Sequence, residues 1–125
     1  LDLGVTQSGA YGTARDTALM FEFVYKEKPE LLMATRDARI EAQSIDEFVH
    51  TGTNTNALVG TLAGLRGSKT GYTDLAGGNL GVVLDSGLGT PIIVVVLGST
   101  LEGRFEDVEA LAEAAFTAVS QGGIF

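Results

Sequence analysis

The chain has 125 residues, 45% of them hydrophobic, which is enough for one domain with a buried core. Sixteen acidic against eight basic residues give a net charge of −8, which disfavours a nucleic-acid partner. The longest aliphatic run, Ile92–Leu97, is far shorter than the ~20 residues that span a bilayer. The chain has no cysteine. It has a single histidine, His50, so a zinc site built on several histidines of one chain is excluded.

A helix is predicted near the start of the chain. Thr13 and Asp16 have the spacing of a helix-capping box, and Pro29 ends the helix that begins there. Residues 1–12, rich in Gly, Ser and Tyr, predict an irregular segment before it. We expect the buried face of the helix to consist of Leu19, Met20, Phe23 and Val24.

The region after this helix predicts short elements. Glu30–Ala34 favours a second, short helix, and Arg39–Phe48 favours a strand and a turn. Thr51–Asn56 is polar throughout and predicts a loop. We interpret His50 as a loop or partly buried polar residue and not as a catalyst.

Three antiparallel strands and a helix are predicted in the second half, which indicates an α+β fold with an antiparallel sheet flanked by helices. Because Ile92–Leu97 is apolar at every position, we expect it at the centre of the sheet, buried on both faces. A 3.6-residue apolar period predicts a helix over Arg104–Ser120 that ends at Gly122-Gly123. The predicted strands are Ser68–Thr73, Leu80–Asp85 and Ile92–Leu97, with turns at 74–78 and 86–90.

The segment Gly-Ser-Lys-Thr-Gly-Tyr-Thr at 67–73 carries the most chemical information. A phosphate-binding loop requires Gly directly before the lysine, but Ser68 precedes Lys69, so that class is excluded. A lysine at the edge of a sheet supplies a positive charge for an anionic group, and the Thr70 hydroxyl donates to the same group. Gly71 has no Cβ, so a substrate backbone can approach the strand closely.

The longer segment Lys-Thr-Gly-Tyr-Thr-Asp-Leu-Ala-Gly-Gly-Asn-Leu at 69–80 closely resembles the K-T-G-x-T-x-x-A-G-x-x-L signature of one family. These are the low-molecular-mass penicillin-binding proteins, the serine-type D-alanyl-D-alanine carboxypeptidases. Further segments agree in order: Gly12–Asp16, Asn54–Leu58, and Val95–Gly98 followed by Arg104-Phe105. The resemblance implies a partial transpeptidase domain of the penicillin-binding and β-lactamase-like fold, with residues 1–125 as its C-terminal portion.

Two motifs of that family are absent from this sequence. No serine is followed three residues later by lysine, so the S-x-x-K nucleophile motif is missing. The S-x-N motif is missing too, since its nearest match, Ser8-Gly9-Ala10, fails at the third position. The chain begins Leu1-Asp2 without an initiator methionine or a signal peptide. We therefore expect part of a longer domain that is inactive alone, its nucleophile lying in the other half.

The resemblance implies a role for each residue of the lysine-containing strand. Lys69 polarises the serine of the S-x-N motif and the substrate carboxylate, and is the one catalytic residue that we expect here. Thr70, with Thr73 nearby, hydrogen-bonds the terminal carboxylate of D-Ala-D-Ala. Gly71 gives the substrate room, and the N–H of Tyr72 is one of two oxyanion donors.

The resemblance also implies that Arg104 is a further anchor for the carboxylate. A guanidinium suits this role because it can form two parallel hydrogen bonds to a carboxylate. The alternative for Arg104 is a salt bridge to Asp107 or Asp85. We interpret the acidic residues of the last helix as solvated charges and not as metal ligands.

The resemblance implies an enzyme that trims the terminal D-Ala from peptidoglycan stem peptides through an acyl-enzyme, without a metal or cofactor. β-Lactams would acylate the intact parent, and the family implies an extracytoplasmic location. The alternative is a non-catalytic half-domain that binds carboxylates or serves in assembly. Because an exposed apolar strand edge invites pairing, we expect Ile92–Leu97 to pair with a second copy or with the missing N-terminal half.

Overall fold

The computed structural model describes residues 11–123, which form three α-helices, a three-stranded sheet and a separate two-stranded hairpin. The fold is α+β, as the sequence predicts. Among the described residues, no helix combines the length and the hydrophobicity needed to cross a membrane. The elements in chain order are α1 (Ala14–Glu27), α2 (Glu30–Met33), a 3₁₀ turn (Ala34–Arg36), β1 (Arg39–Gln43), β2 (Val49–Thr53), β3 (Leu65–Thr73), β4 (Gly77–Asp85), β5 (Pro91–Ser99) and α3 (Gly103–Ser120).

Helix α1 begins where its capping pair predicts. The Thr13 hydroxyl accepts the Asp16 backbone N–H at 3.0 Å, and the helix ends at Glu27, shortly before Pro29. The predicted irregular segment over residues 1–12 lies almost entirely outside the described residues.

The predicted buried face of α1 is wrong for three of its four residues. Leu19, Met20 and Phe23 are more than half exposed, while the buried residue of the helix is Phe21. The reason is the sheet beneath the helix: a Cβ at residue 81 would overlap the Phe21 ring, so Gly81 leaves the space that the ring occupies. Periodicity identifies an apolar side of a helix, but the shape of the partner surface selects which residues are covered.

The sheet has the order β3-β4-β5, with both pairs antiparallel. Strand β4 is therefore central, and β5 is an edge of the sheet that the described residues form. Within the described sheet the predicted central position of Ile92–Leu97 is not found, because hydrogen-bonding neighbours, and not apolarity alone, determine which strand is central. Helix α1 packs against β4 and β5 on one face, and α3 packs against the same two strands.

Two apolar clusters lie on the two faces of the sheet. The larger one joins the alternate β4 residues Leu80, Val82 and Leu84 to Val108 and other residues of α3. The smaller one joins Val83 on the opposite face of β4 to Phe21 and Leu32. This alternation is the ordinary two-residue period of a strand covered by helices on both faces. The helix predicted over Arg104–Ser120 is confirmed by α3, which spans Gly103–Ser120.

The hairpin formed by β1 and β2 extends the predicted strand and turn. Strand β2 includes Thr51–Thr53, where the sequence predicts a loop, and His50 lies exposed on this strand opposite Ala42. The loop prediction is wrong there because pairing with β1 orders a segment whose composition is that of a loop.

Asp85 at the end of β4 makes stability depend on pH. The Gly87 N–H and the Arg66 guanidinium both hydrogen-bond this carboxylate, at 2.8 and 2.6 Å, and they hold its pKa below the ordinary value of 3.8. A carboxyl group whose pKa is lower in the folded than in the unfolded chain stabilises the fold at pH values above the unfolded-state pKa. This stabilisation is lost as the pH falls through the folded-state pKa. We expect Asp85→Asn to flatten the loss of stability below pH 3.8, measured by urea unfolding at a series of pH values. Arg66→Met should flatten this loss only in part, since the Gly87 N–H still hydrogen-bonds the Asp85 carboxylate in that variant. An unchanged slope in Asp85→Asn would contradict the assignment of the pH dependence to this carboxylate.

Candidate active site

Strand β3 brings the lysine-containing motif to one edge of the described sheet. Its partner on the other side is β4, with Lys69 opposite Gly81 and Gly71 opposite Asn79. Alternate residues of a strand point to opposite faces, so Lys69 and Gly71 share the face that α1 covers. The predicted site residues at 69–73 therefore lie together on one exposed strand end.

Thr73 lies on the face opposite Thr70, because it is three residues further along the strand. Its hydroxyl accepts the backbone N–H of Ala76 at 2.9 Å and so holds the turn between β3 and β4. Thr73 therefore shares the strand face of Lys69 and Gly71, and Thr70 lies on the other face. The expected binding role of Thr73 stays a prediction.

A cleft of about 430 Å³ opens between the helices and the three-stranded sheet. Its helical wall is mostly apolar, and its strand side is lined by Lys69, Thr70 and Gly71 together with residues of β4 and β5. A mostly apolar cleft with a few polar groups on one side is the usual form of a small-molecule site. The apolar residues of the helical wall are Met20, Phe21, Val24, Leu31 and Leu32, and Thr17 and Thr35 line it as well.

Lys69 is exposed, and its ammonium group donates to the carbonyl oxygen of Thr70. Within residues 11–123, no carboxylate lies within 4.0 Å of it. An ammonium group without an acidic partner keeps its charge available for an anionic ligand.

Thr55 is a further candidate site residue, one that the sequence pattern did not single out. Its hydroxyl is hydrogen-bonded to the hydroxyl of Thr70. The side chain of Asn54 anchors this loop by donating to the carbonyl oxygens of Thr35, at 2.7 Å, and Asp37, at 3.0 Å. The available signal was the Asn-Thr-Asn segment itself, whose asparagines fix a loop and so place the threonine between them.

Arg104 reaches the same strand from the first turn of α3. It is 6% exposed, and its Nη1 donates to the carbonyl oxygen of Gly71 at 3.0 Å. Its guanidinium carbon lies 4.8 Å from the centre of the Phe105 ring. The buried Nε has no hydrogen-bond partner among the described residues.

The salt bridges considered as an alternative for Arg104 are not formed. Asp107 accepts the Ser99 hydroxyl at 2.6 Å, and Asp85 is paired with Arg66. Arg104 therefore lies at the motif as a buried cation whose observed bond is to the backbone of β3. In the part of the chain that the structure covers, no group of three acidic, histidine or cysteine side chains could hold a metal ion.

Comparison with known proteins shows the family and the fold of the chain. A sequence model of the D-alanyl-D-alanine carboxypeptidase family matches residues 2–100. Two structures of penicillin-binding protein D2 from Listeria monocytogenes, in cefotaxime-bound and ampicillin-bound forms, are 33% identical to the chain, with TM-scores of 0.76 and 0.77. They match 91% of this chain, which spans only 44% and 45% of theirs.

A DD-transpeptidase from Streptomyces shares the fold at 24% identity, with a TM-score of 0.70 over 90% of this chain and 45% of its own. No match was found among curated protein sequences. The family match covers most of the chain, and the Listeria structures carry the same arrangement of helices and strands. The chain therefore belongs to the D-alanyl-D-alanine carboxypeptidase family, as the resemblance of its lysine-containing strand implies.

Proposed function

We propose that this chain is the C-terminal, substrate-binding portion of a serine D-alanyl-D-alanine carboxypeptidase that trims terminal D-Ala from peptidoglycan stem peptides. The observation that carries the proposal is the exposed strand end where Lys69, Thr70 and Gly71 open into a cleft. A peptide that ends in a carboxylate would lie along this edge, with its charge near the Lys69 ammonium group. Because the Listeria relatives are known in cefotaxime-bound and ampicillin-bound forms, we propose that the intact parent binds β-lactams too.

In this proposal the chain supplies binding and electrostatic groups. Thr70 donates to the terminal carboxylate, and Lys69 adds the positive charge that attracts it. The N–H of Tyr72 donates to the carbonyl oxygen of the bond to be cleaved, where negative charge develops. A serine outside these 125 residues attacks that carbonyl carbon, D-Ala leaves as the amine, and water hydrolyses the resulting ester.

The alternative is that the chain binds carboxylates or serves in assembly without catalysis. Both functions predict ligand binding, so labelling by a fluorescent penicillin separates them. We expect no labelling of the chain by itself, and labelling after co-expression with a family N-terminal half that carries S-x-x-K. If the combined halves bind peptide but are not labelled, the non-catalytic function holds.

The experiment that tests the binding function is a titration of the ¹⁵N-labelled chain with diacetyl-L-Lys-D-Ala-D-Ala. We expect the amide resonances of Thr70 and Tyr72 to shift, and the same peptide with a C-terminal carboxamide to bind at least about ten-fold more weakly. Equal binding of the two peptides, or no binding of either, would overturn the proposal.

Gly71→Ala separates the function of this glycine from stability. A Cβ at residue 71 would meet only Asn79 Cβ, at 3.9 Å, and its backbone needs no left-handed conformation. The urea midpoint should therefore remain close to that of the wild type, while peptide affinity falls at least about ten-fold because the methyl group occupies the substrate's side of the strand. Unchanged affinity in a folded Gly71→Ala variant would remove Gly71 from the binding site.

We also propose that the outer edge of β5 pairs with another strand, either from the family N-terminal half or from a second copy of this chain. The strand is long and mostly apolar, and an edge of this kind is a template for pairing. Size-exclusion chromatography with light scattering should give the mass of two chains at high concentration. The mass of one chain at every concentration would contradict self-pairing and leave only the N-terminal half as the partner.

The family also supports an extracytoplasmic location, because peptidoglycan lies outside the cytoplasmic membrane. The location of the protein in fractionated cells tests this, with recovery only in the cytoplasm as the opposing result.

A further inference from the structure

Arg104 and the N–H of Tyr72 meet at one peptide group. Arg104 donates to the carbonyl oxygen of Gly71, and the carbon of that carbonyl is bonded to the nitrogen of Tyr72. We propose that Arg104 is a positioning residue that orients and polarises this peptide group. The inference rests on the proposed function, in which the Tyr72 N–H faces the carbonyl oxygen of the bond to be cleaved.

The physical basis is the electronic coupling within a peptide group. Its six atoms are planar because electron density is shared between nitrogen and carbonyl oxygen. A cationic donor at the oxygen draws density away from the nitrogen, so the N–H becomes a stronger donor. A charge-assisted bond at 3.0 Å also holds the plane of the peptide and therefore the direction of the Tyr72 N–H.

The surroundings of Arg104 make this bond effective. The residue is almost fully buried, and within residues 11–123 no carboxylate lies within 4.0 Å of its guanidinium, so no acid in that range compensates the charge. The ring of Phe105 lies against the guanidinium on one side. A cation in the first turn of a helix opposes the helix dipole, so α3 gains no stability from it there.

A positioning role and a carboxylate-anchoring role for Arg104 predict different changes in binding. An anchor contacts the terminal carboxylate, so its loss would reduce the preference for the carboxylate peptide over the carboxamide peptide. The N–H of Tyr72 faces a carbonyl group that both peptides possess. Loss of the positioning residue would therefore weaken both peptides by the same factor and keep the preference.

The test uses the 125-residue chain with Arg104→Met, and Arg66→Met as the control because it removes an exposed arginine from the same strand, β3. In the ligand-free Arg104→Met chain, we expect the Gly71 carbonyl carbon and the Tyr72 amide proton to shift upfield. Both peptides should bind about five-fold more weakly, with their ratio unchanged. The control should leave the resonances and both affinities unchanged.

Two results would overturn the inference while the proposed function stands: unchanged Gly71 and Tyr72 resonances in Arg104→Met, or a selective loss of carboxylate preference. If the wild-type chain binds neither peptide, the proposed function itself fails.

If Arg104→Met does not fold, two other measurements test the positioning role of Arg104. Arg104→Lys keeps a charged donor and should give intermediate shifts. In the wild-type chain, a scalar coupling across the bond from Arg104 Nη1 to the Gly71 carbonyl should be observed, and its absence contradicts the inference.

Discussion

Replacing Leu84 with alanine is expected to lower the free energy of unfolding by about 3 kcal/mol, within the range of roughly 2–5 kcal/mol for buried leucines. Leu84 lies on the central strand with no exposed surface and packs in the larger apolar cluster against α3. Truncation removes apolar atoms from that cluster and leaves a cavity, because a strand with neighbours on both sides cannot move to fill it.

Urea unfolding followed by circular dichroism measures this effect, and Leu88→Ala provides the control. Leu88 lies in the turn between β4 and β5 and is 67% exposed, so the same substitution should cost less than about 0.5 kcal/mol there. Since a domain of this size is stable by roughly 5–15 kcal/mol, Leu84→Ala removes a large part of its stability. Equal effects of the two substitutions would show that the sheet does not fold around this cluster.

Lys69→Met is expected to reduce the affinity for the carboxylate peptide at least about ten-fold, while the affinity for the carboxamide peptide falls much less. Methionine keeps most of the apolar length of the side chain and removes its charge. Because Lys69 has no acidic partner within the described residues, the substitution breaks no salt bridge there, and stability should change little.

Lys28→Met is the matched control, since it changes the net charge by the same amount at an exposed position at the end of α1. It should leave both affinities unchanged, which separates a local contact from a general effect of net charge. Raising the salt concentration should weaken carboxylate binding by the wild type more than by Lys69→Met. A Lys69→Met chain that keeps the full preference for the carboxylate would remove Lys69 from the site.

Local sequence signals predicted the ends of several elements and the strand that carries the family signature. Thr13 caps α1 because the capping contact spans only three residues, and the turn after β4 has Gly87 and Gly89 where the backbone is left-handed. The family signature placed Lys69 and its neighbours on one strand because the motif is contiguous in the chain. These features depend on residues that are close in sequence, so a linear pattern contains them.

Predictions that depended on distant residues failed or were incomplete. The covered face of α1 depends on Gly81, sixty positions after Phe21, and the edge position of β5 depends on which strands pair. The hydroxyl contact of Thr55 with Thr70 joins a loop to a strand fifteen residues away. No local pattern in α1, β5 or the loop contains this information.

The amino-acid sequence by itself therefore determined the fold class, the family resemblance and the strand that carries the candidate site, since each of these is expressed in composition, periodicity or a contiguous motif. Only the tertiary structure decided that Arg104 is buried with its donor on the Gly71 carbonyl, and not paired with Asp107 or Asp85. The physical reason is that a long charged side chain takes the partner that packing brings within reach. For Arg104 that partner lies 33 residues earlier in the chain, on a strand that α3 meets only in the folded protein.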